Sequence, residues 1–168
     1  MHLRVARPDD LAAVDRLLGR SYPRLLRPDY PPSIMVTLVP IIARARPELL
    51  ASGRYFVIEA EGRILAAGGY SPAGQWLRPG VAGEGAGRIA EIRHVATDPD
   101  LTRQGLGRRL MQGIFAAAEA EGVRHYTCLA SRTAVPFYAA LGFIVLGPVQ
   151  VPITRAIAFP AVRMQRSA

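Results

Sequence analysis

The chain has 168 residues, half of them hydrophobic, a formal net charge of +8 and a single cysteine, Cys128. This hydrophobic fraction excludes a disordered chain, and one cysteine excludes an internal disulfide framework and is typical of a reducing cytoplasm. The longest apolar run, 34–42, is far shorter than the roughly 20 residues that span a membrane. We therefore expect one soluble, cytoplasmic domain over residues 1–168, with no membrane partner.

The positive charge comes from arginine alone, because the sequence contains no lysine. Nucleic-acid binding is one function that such a charge indicates. The arginines are scattered along the chain rather than clustered with aromatic residues, so a nucleic-acid partner is disfavoured. A polyanionic small ligand would be attracted by the same positive field.

The first half of the chain predicts a strand, two helices and a hairpin. Residues 2–6 form the strand, and a helix that begins at 8–10 has one apolar face made of Leu11, Val14, Leu17 and Leu18. Prolines at positions 23, 28, 31 and 32 predict an irregular connector. The second helix is expected over 34–45, with a kink or boundary at Pro40.

A hairpin follows, with strands at 55–59 and 64–70 around a turn at 60–63. Glycine-rich residues 71–88 are expected to form a mobile surface loop.

The second half of the chain predicts strands at 89–97, 125–130, 143–148 and 156–164, with a short helix at 134–141. A longer helix over 104–121 has an apolar stripe made of Leu106, Leu110, Met111, Ile114, Phe115 and Ala118. Strands and helices in this mixed order predict an α+β fold, one sheet covered by helices.

The most informative segment is the loop at 98–105, which runs directly into the long helix. Gly105 and Gly107 lack Cβ atoms, so the backbone can turn tightly and bring its amides close to an anion. A helix N-terminus offers unpaired amides and a favourable dipole, and Arg103 and Arg108 add guanidinium groups suited to phosphate. The segment predicts a pyrophosphate site, although an ordinary helix start is the simpler interpretation of the loop alone.

The loop is neither of the two commonest phosphate motifs. A Walker A loop needs a lysine, and a dinucleotide fingerprint needs three spaced glycines followed by a distant acidic residue.

Three motifs in order resemble a known family. They are a strand that ends at a proline, 92–99, the loop Thr102-Arg-Gln-Gly-Leu-Gly107, and the segment Val135-Pro-Phe-Tyr-Ala-Ala-Leu-Gly-Phe143. Residues 90–149 thereby resemble the acetyl-CoA-binding core of the GNAT (Gcn5-related) N-acetyltransferase superfamily. The resemblance implies the GNAT-like acyl-CoA N-acyltransferase fold, a mixed, mostly antiparallel sheet of about seven strands flanked by about four helices and splayed between the fourth and fifth strands.

The resemblance also implies acetyl-CoA as the acetyl donor, a primary amine as the acceptor and no metal. The pyrophosphate would be held by the segment made of Arg103, Gln104, Gly105, Leu106, Gly107 and Arg108. The peptide-like pantetheine arm would add to the strand edge made of Val95, Ala96 and Thr97. Ser131, at the start of the next helix, would lie at the thioester end. Members are often dimers, so a homodimer remains open.

Two positions depart from the family pattern. Thr102 stands where members usually have Gln or Arg, and Arg103 could replace that phosphate contact. Ser131 stands where many members have Asn, and its hydroxyl can still cap a helix or donate to a ligand carbonyl.

Acetyl transfer to an amine needs a base for the amine proton and an acid for the departing thiolate. Glu91 resembles the glutamate that takes the proton in the histone-acetyltransferase branch. An ordered water is the alternative base. Glu91 could instead be an exposed strand residue without a catalytic role. Tyr138 matches the family tyrosine that donates to the coenzyme sulfur. The alternative for Tyr138 is core packing, a role that Phe137 is expected to take.

His94 is a second candidate base or relay, because imidazole titrates near neutrality. Strand alternation predicts that it lies on the opposite face from Glu91 and Val95, so the two would not act together. Cys128 is expected to be a buried strand residue without a role, since the chemistry proceeds by direct attack.

The leading function is therefore acetyl transfer to a small-molecule amine, with the acceptor bound by the second helix up to Arg46, the loop 71–88 and the last hairpin. Acetylation of a protein N-terminus or lysine is an alternative of the same class. A non-catalytic acyl-CoA-binding sensor is the alternative from another class. The sequence leaves the acceptor and the acyl-chain preference open.

Overall fold

A computed structural model of the protein describes residues 1–73 and 88–168. Seven strands form one sheet in the order β1-β2-β3-β4-β5-β7-β6. The strands are β1 His2–Val5, β2 Tyr55–Ala60, β3 Arg63–Pro72, β4 Arg88–Thr97, β5 Val123–Ala130, β6 Ile144–Pro152 and β7 Ala158–Ser167. The pair β4 and β5 is parallel, and the other neighbours are antiparallel.

The α-helices are α1 Leu11–Leu26, α2 Pro32–Thr37, α3 Val39–Ile42, α4 Pro47–Leu50, α5 Leu106–Ala120 and α6 Val135–Ala139. Single 3₁₀ turns precede α1, α5 and α6. The predicted fold, a mixed and mostly antiparallel seven-stranded sheet flanked by helices, is confirmed. The predicted loop at 71–88 falls largely outside the described residues.

The helices differ from the sequence prediction at two prolines. Pro23 lies inside α1 instead of in the predicted connector. A proline has no N–H, so the helix loses one backbone hydrogen bond there, but the buried Leu26 on the last turn holds the helix against the core. The helix predicted over 34–45 is divided at Leu38 into α2 and α3, since Pro40 has no N–H to continue the hydrogen-bond ladder.

The two faces of the sheet are covered by different helices. The predicted stripe of α5, made of Leu106, Leu110, Met111, Ile114, Phe115 and Ala118, is fully buried against one face. On the other face, Val14, Leu17 and Leu18 of α1 pack against Val57 and Ala67. Burial of these apolar positions stabilises the layered arrangement.

An irregularity in β4 changes which residues face which side of the sheet. Ala96 pairs with Ala67 and Arg93 pairs with Gly69, so His94 and Val95 together stand opposite the single residue Gly68. This is a β-bulge, and His94 has a φ of 48°, in the left-handed region. A Cβ on Gly68 would lie 2.8 Å from Cγ2 of Val95, so glycine allows the close approach.

Strands β4 and β5 pair only at their beginnings. Their register runs from Arg88 and Val123 to Glu91 and Thr127 and then stops. Beyond that point β4 remains paired with β3, and β5 remains paired with β7. The two strands therefore part in the middle of the sheet, which confirms the predicted splay and opens a gap between their C-terminal halves.

No helix among the described residues is long and apolar enough to cross a membrane.

Candidate functional site

A cavity of about 760 Å³ lies between the N-terminus of α5, the C-terminal half of β4 and α6. We call it the larger cavity. Its walls contain the predicted cofactor-binding residues Val95, Ala96, Thr97, Arg103, Gly105, Leu106, Gly107, Arg108 and Ser131. Thr102 also lines it, whereas the predicted contact residue Gln104 does not. The fold thus brings almost the whole predicted set to one place.

The loop before α5 and the first turn of α5 form part of the wall of this cavity. Arg103 and Gly105 both have left-handed backbone angles, with φ of 64° and 78°, and Gly105 is the N-cap of α5. The amides of Leu106, Gly107 and Arg108 belong to the first turn, where no carbonyl of the same helix can accept from them. A negatively charged group is favoured at such a position by these donors and by the helix dipole.

A buried carboxylate anchors this loop. Asp98, with 1% of its surface exposed, accepts hydrogen bonds from the Asp100 amide at 3.0 Å and from Nη2 of Arg63 at 3.1 Å. Arg20 of α1 approaches the same carboxylate at 3.3 Å. Charge-assisted bonds of this kind hold the loop to both β3 and α1.

A second, smaller cavity of about 290 Å³ lies on the face that α1 and α3 cover. Glu91, Arg93 and His94 of β4 line it, together with Arg46 and the apolar residues Ile42, Leu129, Val151, Ile153 and Phe159. The two cavities share the residues Tyr22, Leu26, Val95, Ser131, Ala134 and Tyr138. These shared residues, which we call the junction, surround the gap between the parted strands.

Tyr138 occupies the junction and is 6% exposed. Burial raises the pKa of its phenol well above the ordinary value, and the neighbouring Cys128 and Tyr22 add to the effect. The phenol is therefore neutral and is a proton donor at physiological pH. Phe137 packs against the edge of the buried cluster, where a Cβ on Gly107 would lie 2.9 Å from its ring, but the packing role is not its alone, because Tyr138 lies in the cluster itself.

Glu91 faces the smaller cavity and forms an ion pair with Arg93. Nη1 of Arg93 donates to Oε2 of Glu91 at 2.9 Å, and the glutamate side chain is 23% exposed. The structure thus brings Glu91 and Tyr138 into the walls of one cavity.

The predicted position of His94 was wrong. The bulge interrupts strand alternation, so His94 lines the same cavity as Glu91, whereas Val95 packs against the cluster on the α5 face. Burial and the nearby charges of Arg46 and Arg93 lower the pKa of the His94 imidazole to about 4. The ring is therefore neutral at pH 7, and its buried Nδ1 has no hydrogen-bond partner among the described residues.

Cys128 is buried, as the sequence predicted, with 2% of its surface exposed. Burial raises the pKa of its thiol to about 12, and the charge of Glu91 adds to the shift. Since the thiolate is the nucleophilic form, this cysteine is unreactive at neutral pH.

Tyr22 is the junction residue that sequence reasoning missed. Its hydroxyl donates to the Val95 carbonyl at 3.4 Å, and burial raises its pKa. Tyr22 lies in α1, more than seventy residues before Val95, so no local motif connects the two. The one signal in the sequence is its position one turn before Leu26 on the same helix, which places both side chains on the same face.

Among residues 1–73 and 88–168, no group of three or more His, Cys, Asp or Glu side chains is placed to hold a metal ion. The described site therefore consists of a phosphate-compatible loop, a gap in the sheet and a junction of neutral donors.

Comparisons with known proteins identify the family of the chain. Residues 16–143 match the model of the Acetyltransferase (GNAT) family, so the chain belongs to that family. It is similar to the solved structure of a GCN5-related N-acetyltransferase from Rhodopseudomonas palustris, at 19% identity and a TM-score of 0.76 over 99% of this chain and 95% of that one.

Two further structures share the fold. The PaiA N-acetyltransferase from Thermoplasma acidophilum, solved with coenzyme A, is 13% identical with a TM-score of 0.70, over 99% of this chain and 98% of that one. The ribosomal-protein-S18-alanine N-acetyltransferase from Escherichia coli is 19% identical with a TM-score of 0.64, over 99% and 92%.

The low pKa of His94 predicts an acid-sensitive stability. In the unfolded chain the His94 imidazole binds a proton below about pH 6.5, whereas in the folded chain it does so only near pH 4. The contribution of the neutral ring to the free energy of unfolding is therefore fully present above pH 6.5 and is lost as the pH falls towards 4. Between pH 7.5 and pH 5 we expect a loss of about 2 kcal/mol from this residue. Urea unfolding of the wild type and His94→Gln at both pH values measures it.

His2→Gln, at an exposed position of β1, is the control and should keep the wild-type pH dependence. An unchanged pH dependence in His94→Gln would contradict the burial of a neutral imidazole.

Proposed function

We propose that the protein transfers the acetyl group of acetyl-CoA to a primary amine of a small molecule. The observation that carries this proposal is the meeting of two cavities at Val95, Ser131 and Tyr138. One cavity ends at an anion-compatible loop and the other contains a carboxylate and a neutral phenol. A donor and an acceptor that enter from opposite sides would meet in the gap of the sheet.

The larger cavity is suited to coenzyme A. Its pyrophosphate would accept from the amides of Gly105, Leu106, Gly107 and Arg108, and Arg103 lies on the same loop. The free edge of β4 at Val95, Ala96 and Thr97 would pair with the pantetheine amides, since β5 has parted from it. The relative from Thermoplasma acidophilum, solved with coenzyme A, supports this assignment.

The reaction would proceed by direct attack. The amine nitrogen forms a bond to the thioester carbonyl carbon, the carbon–sulfur bond breaks, and the sulfur leaves with the electron pair. Glu91, directly or through a water, takes the ammonium proton so that the neutral amine can attack, and it later releases that proton to solvent. The nitrogen loses its second proton to solvent as the amide forms, and Tyr138 gives its phenolic proton to the sulfur. Tyr138 then regains a proton from solvent. The unreactive thiol of Cys128 supports a path without an acyl-enzyme.

The size of the smaller cavity favours a small acceptor. At about 290 Å³ it lies at the lower end of the range of small-molecule sites. A protein N-terminus or lysine is the second candidate, because the Escherichia coli relative is named for alanine of a ribosomal protein. We also propose a cytoplasmic location, in keeping with the buried, unpaired Cys128.

Coenzyme binding is tested by Gly105→Glu. The new side chain places a negative charge in the proposed pyrophosphate site, so calorimetry should show acetyl-CoA binding to the wild type and none to the variant. Gly53→Glu is the matched control, because Gly53 also has a left-handed φ, of 73°, and open space around its Cβ position. Equal binding by both variants would refute the site.

Removal of the proposed acid is tested by Tyr138→Phe. The variant keeps the ring but loses the proton donor, so we expect kcat to fall by about 10²-fold while acetyl-CoA still binds. Acceptor-dependent thiol release measures it, with Tyr126→Phe, a fully buried tyrosine outside both cavities, as control. Coenzyme binding without acceptor-dependent thiol release in the wild type would favour the sensor alternative.

Removal of the proposed base is tested by Glu91→Gln. At pH 7 the acceptor amine is mostly protonated, so we expect kcat/KM to fall by about 10²-fold, and the difference from wild type to shrink as the pH approaches the amine pKa. Glu59→Gln, a carboxylate paired with Arg4 outside the cavities, should have no effect. Full activity of Glu91→Gln at pH 7 would leave an ordered water as the base.

A further inference from the structure

The smaller cavity contains a guanidinium group, that of Arg46, whose N–H groups make no hydrogen bond among the described residues. Arg93 is paired with Glu91, but Arg46 lies 3.7 Å from the nearest oxygen of Glu48, too far for a hydrogen bond. No other acceptor among the described residues binds the Arg46 side chain, which is 51% exposed. Apart from this long ion pair with Glu48, the N–H donors of Arg46 are available to a ligand in the cavity.

The backbone of Arg46 is held firmly although its side chain is free. Arg46 is the N-cap of α4, and its carbonyl accepts from the amides of Leu49 and Leu50 at 3.1 and 3.3 Å. Both leucine side chains are buried in the core. The fold therefore fixes the position of the Arg46 backbone at the cavity wall.

The charges around the cavity favour an anionic group. Its walls have two guanidinium groups, of Arg46 and Arg93, against the single carboxylate of Glu91. Glu48, which does not line the cavity, partly offsets the charge of Arg46 at 3.7 Å, and the positive excess is that of the lining itself. A polycationic acceptor would be repelled here, whereas a carboxylate would balance the excess charge.

The rest of the wall is apolar. Ile42, Leu129, Val151, Ile153 and Phe159 come from α3, β5 and the β6–β7 hairpin. These side chains would bind an apolar group of the acceptor by removing it from water, and they contain no polar atoms that would lose hydrogen bonds.

We propose that the acceptor is a small amine with a carboxylate and an apolar side chain, and that Arg46 binds its carboxylate. An apolar amino acid is the simplest molecule with these three parts. The inference rests on the proposed acetyl transfer and names its acceptor class. Arg46 would make two parallel charge-assisted hydrogen bonds to the carboxylate, the apolar wall would bind the side chain, and the amine would point to the junction.

The test compares each acceptor with its carboxamide. Leucine, methionine and phenylalanine are assayed against their amides by acetyl-CoA-dependent thiol release. We expect the wild type to prefer the amino acid by about tenfold or more in kcat/KM, even though the amine of the amide is less basic and more often neutral. In Arg46→Gln this preference should disappear, with KM for the amino acid rising and the amide unaffected.

Arg44→Gln is the matched control. Arg44 is two residues away, 71% exposed and paired with Asp15, and it does not line the cavity. This variant should keep the preference for the carboxylate. Calorimetry should give the same affinity for acetyl-CoA in wild type and Arg46→Gln, which separates acceptor binding from donor binding.

Three results would overturn the inference, and they differ in what they leave standing. Acetylation of amino acids and amides at equal rates would refute the carboxylate site but leave the acetyltransferase. A leucine-terminated peptide preferred over leucine would indicate a protein acceptor. Acetyl-CoA binding without acetylation of any amine would refute the proposed function itself.

Discussion

The site depends on one backbone constraint, the bulge of β4 opposite Gly68. Because Gly68 has no Cβ, Val95 can approach to a distance that any side chain at position 68 would prevent. The extra residue, His94, then turns the strand so that Glu91, Arg93 and His94 face one cavity while Val95 packs towards α5. In a regular strand Glu91 and Arg93 would still share a face, but His94 would point to the other face, away from the carboxylate.

The bulge and the parting of β4 from β5 act together. The parting leaves the C-terminal half of β4 without a partner on one side, and unpaired strand groups are a template for a peptide-like ligand. The junction then lies where this free edge faces Ser131 and Tyr138. Asp98 completes the arrangement, since its bonds to Arg63 and Arg20 tie the loop at the end of β4 to two separate elements.

Features encoded in contiguous residues could be predicted from the sequence. The stripe of α5 follows from helical periodicity, and the loop ending at Gly105 and Gly107 follows from the glycine spacing; both lie where expected. The position of His94 could not be predicted, because its φ depends on a glycine of the neighbouring strand. Tyr22 and the separation of α2 from α3 depend likewise on tertiary packing, which periodicity does not encode.

Burial at the junction and beside it decides the protonation states on which the proposed chemistry depends. The same removal of water raises the pKa values of Tyr138, Tyr22 and Cys128 and lowers that of His94, so each of these groups is held in its neutral form. A neutral phenol can donate a proton to a departing sulfur, whereas a neutral thiol cannot attack a carbonyl. One physical cause thus favours Tyr138 as the acid of the proposed reaction and disfavours Cys128 as a nucleophile.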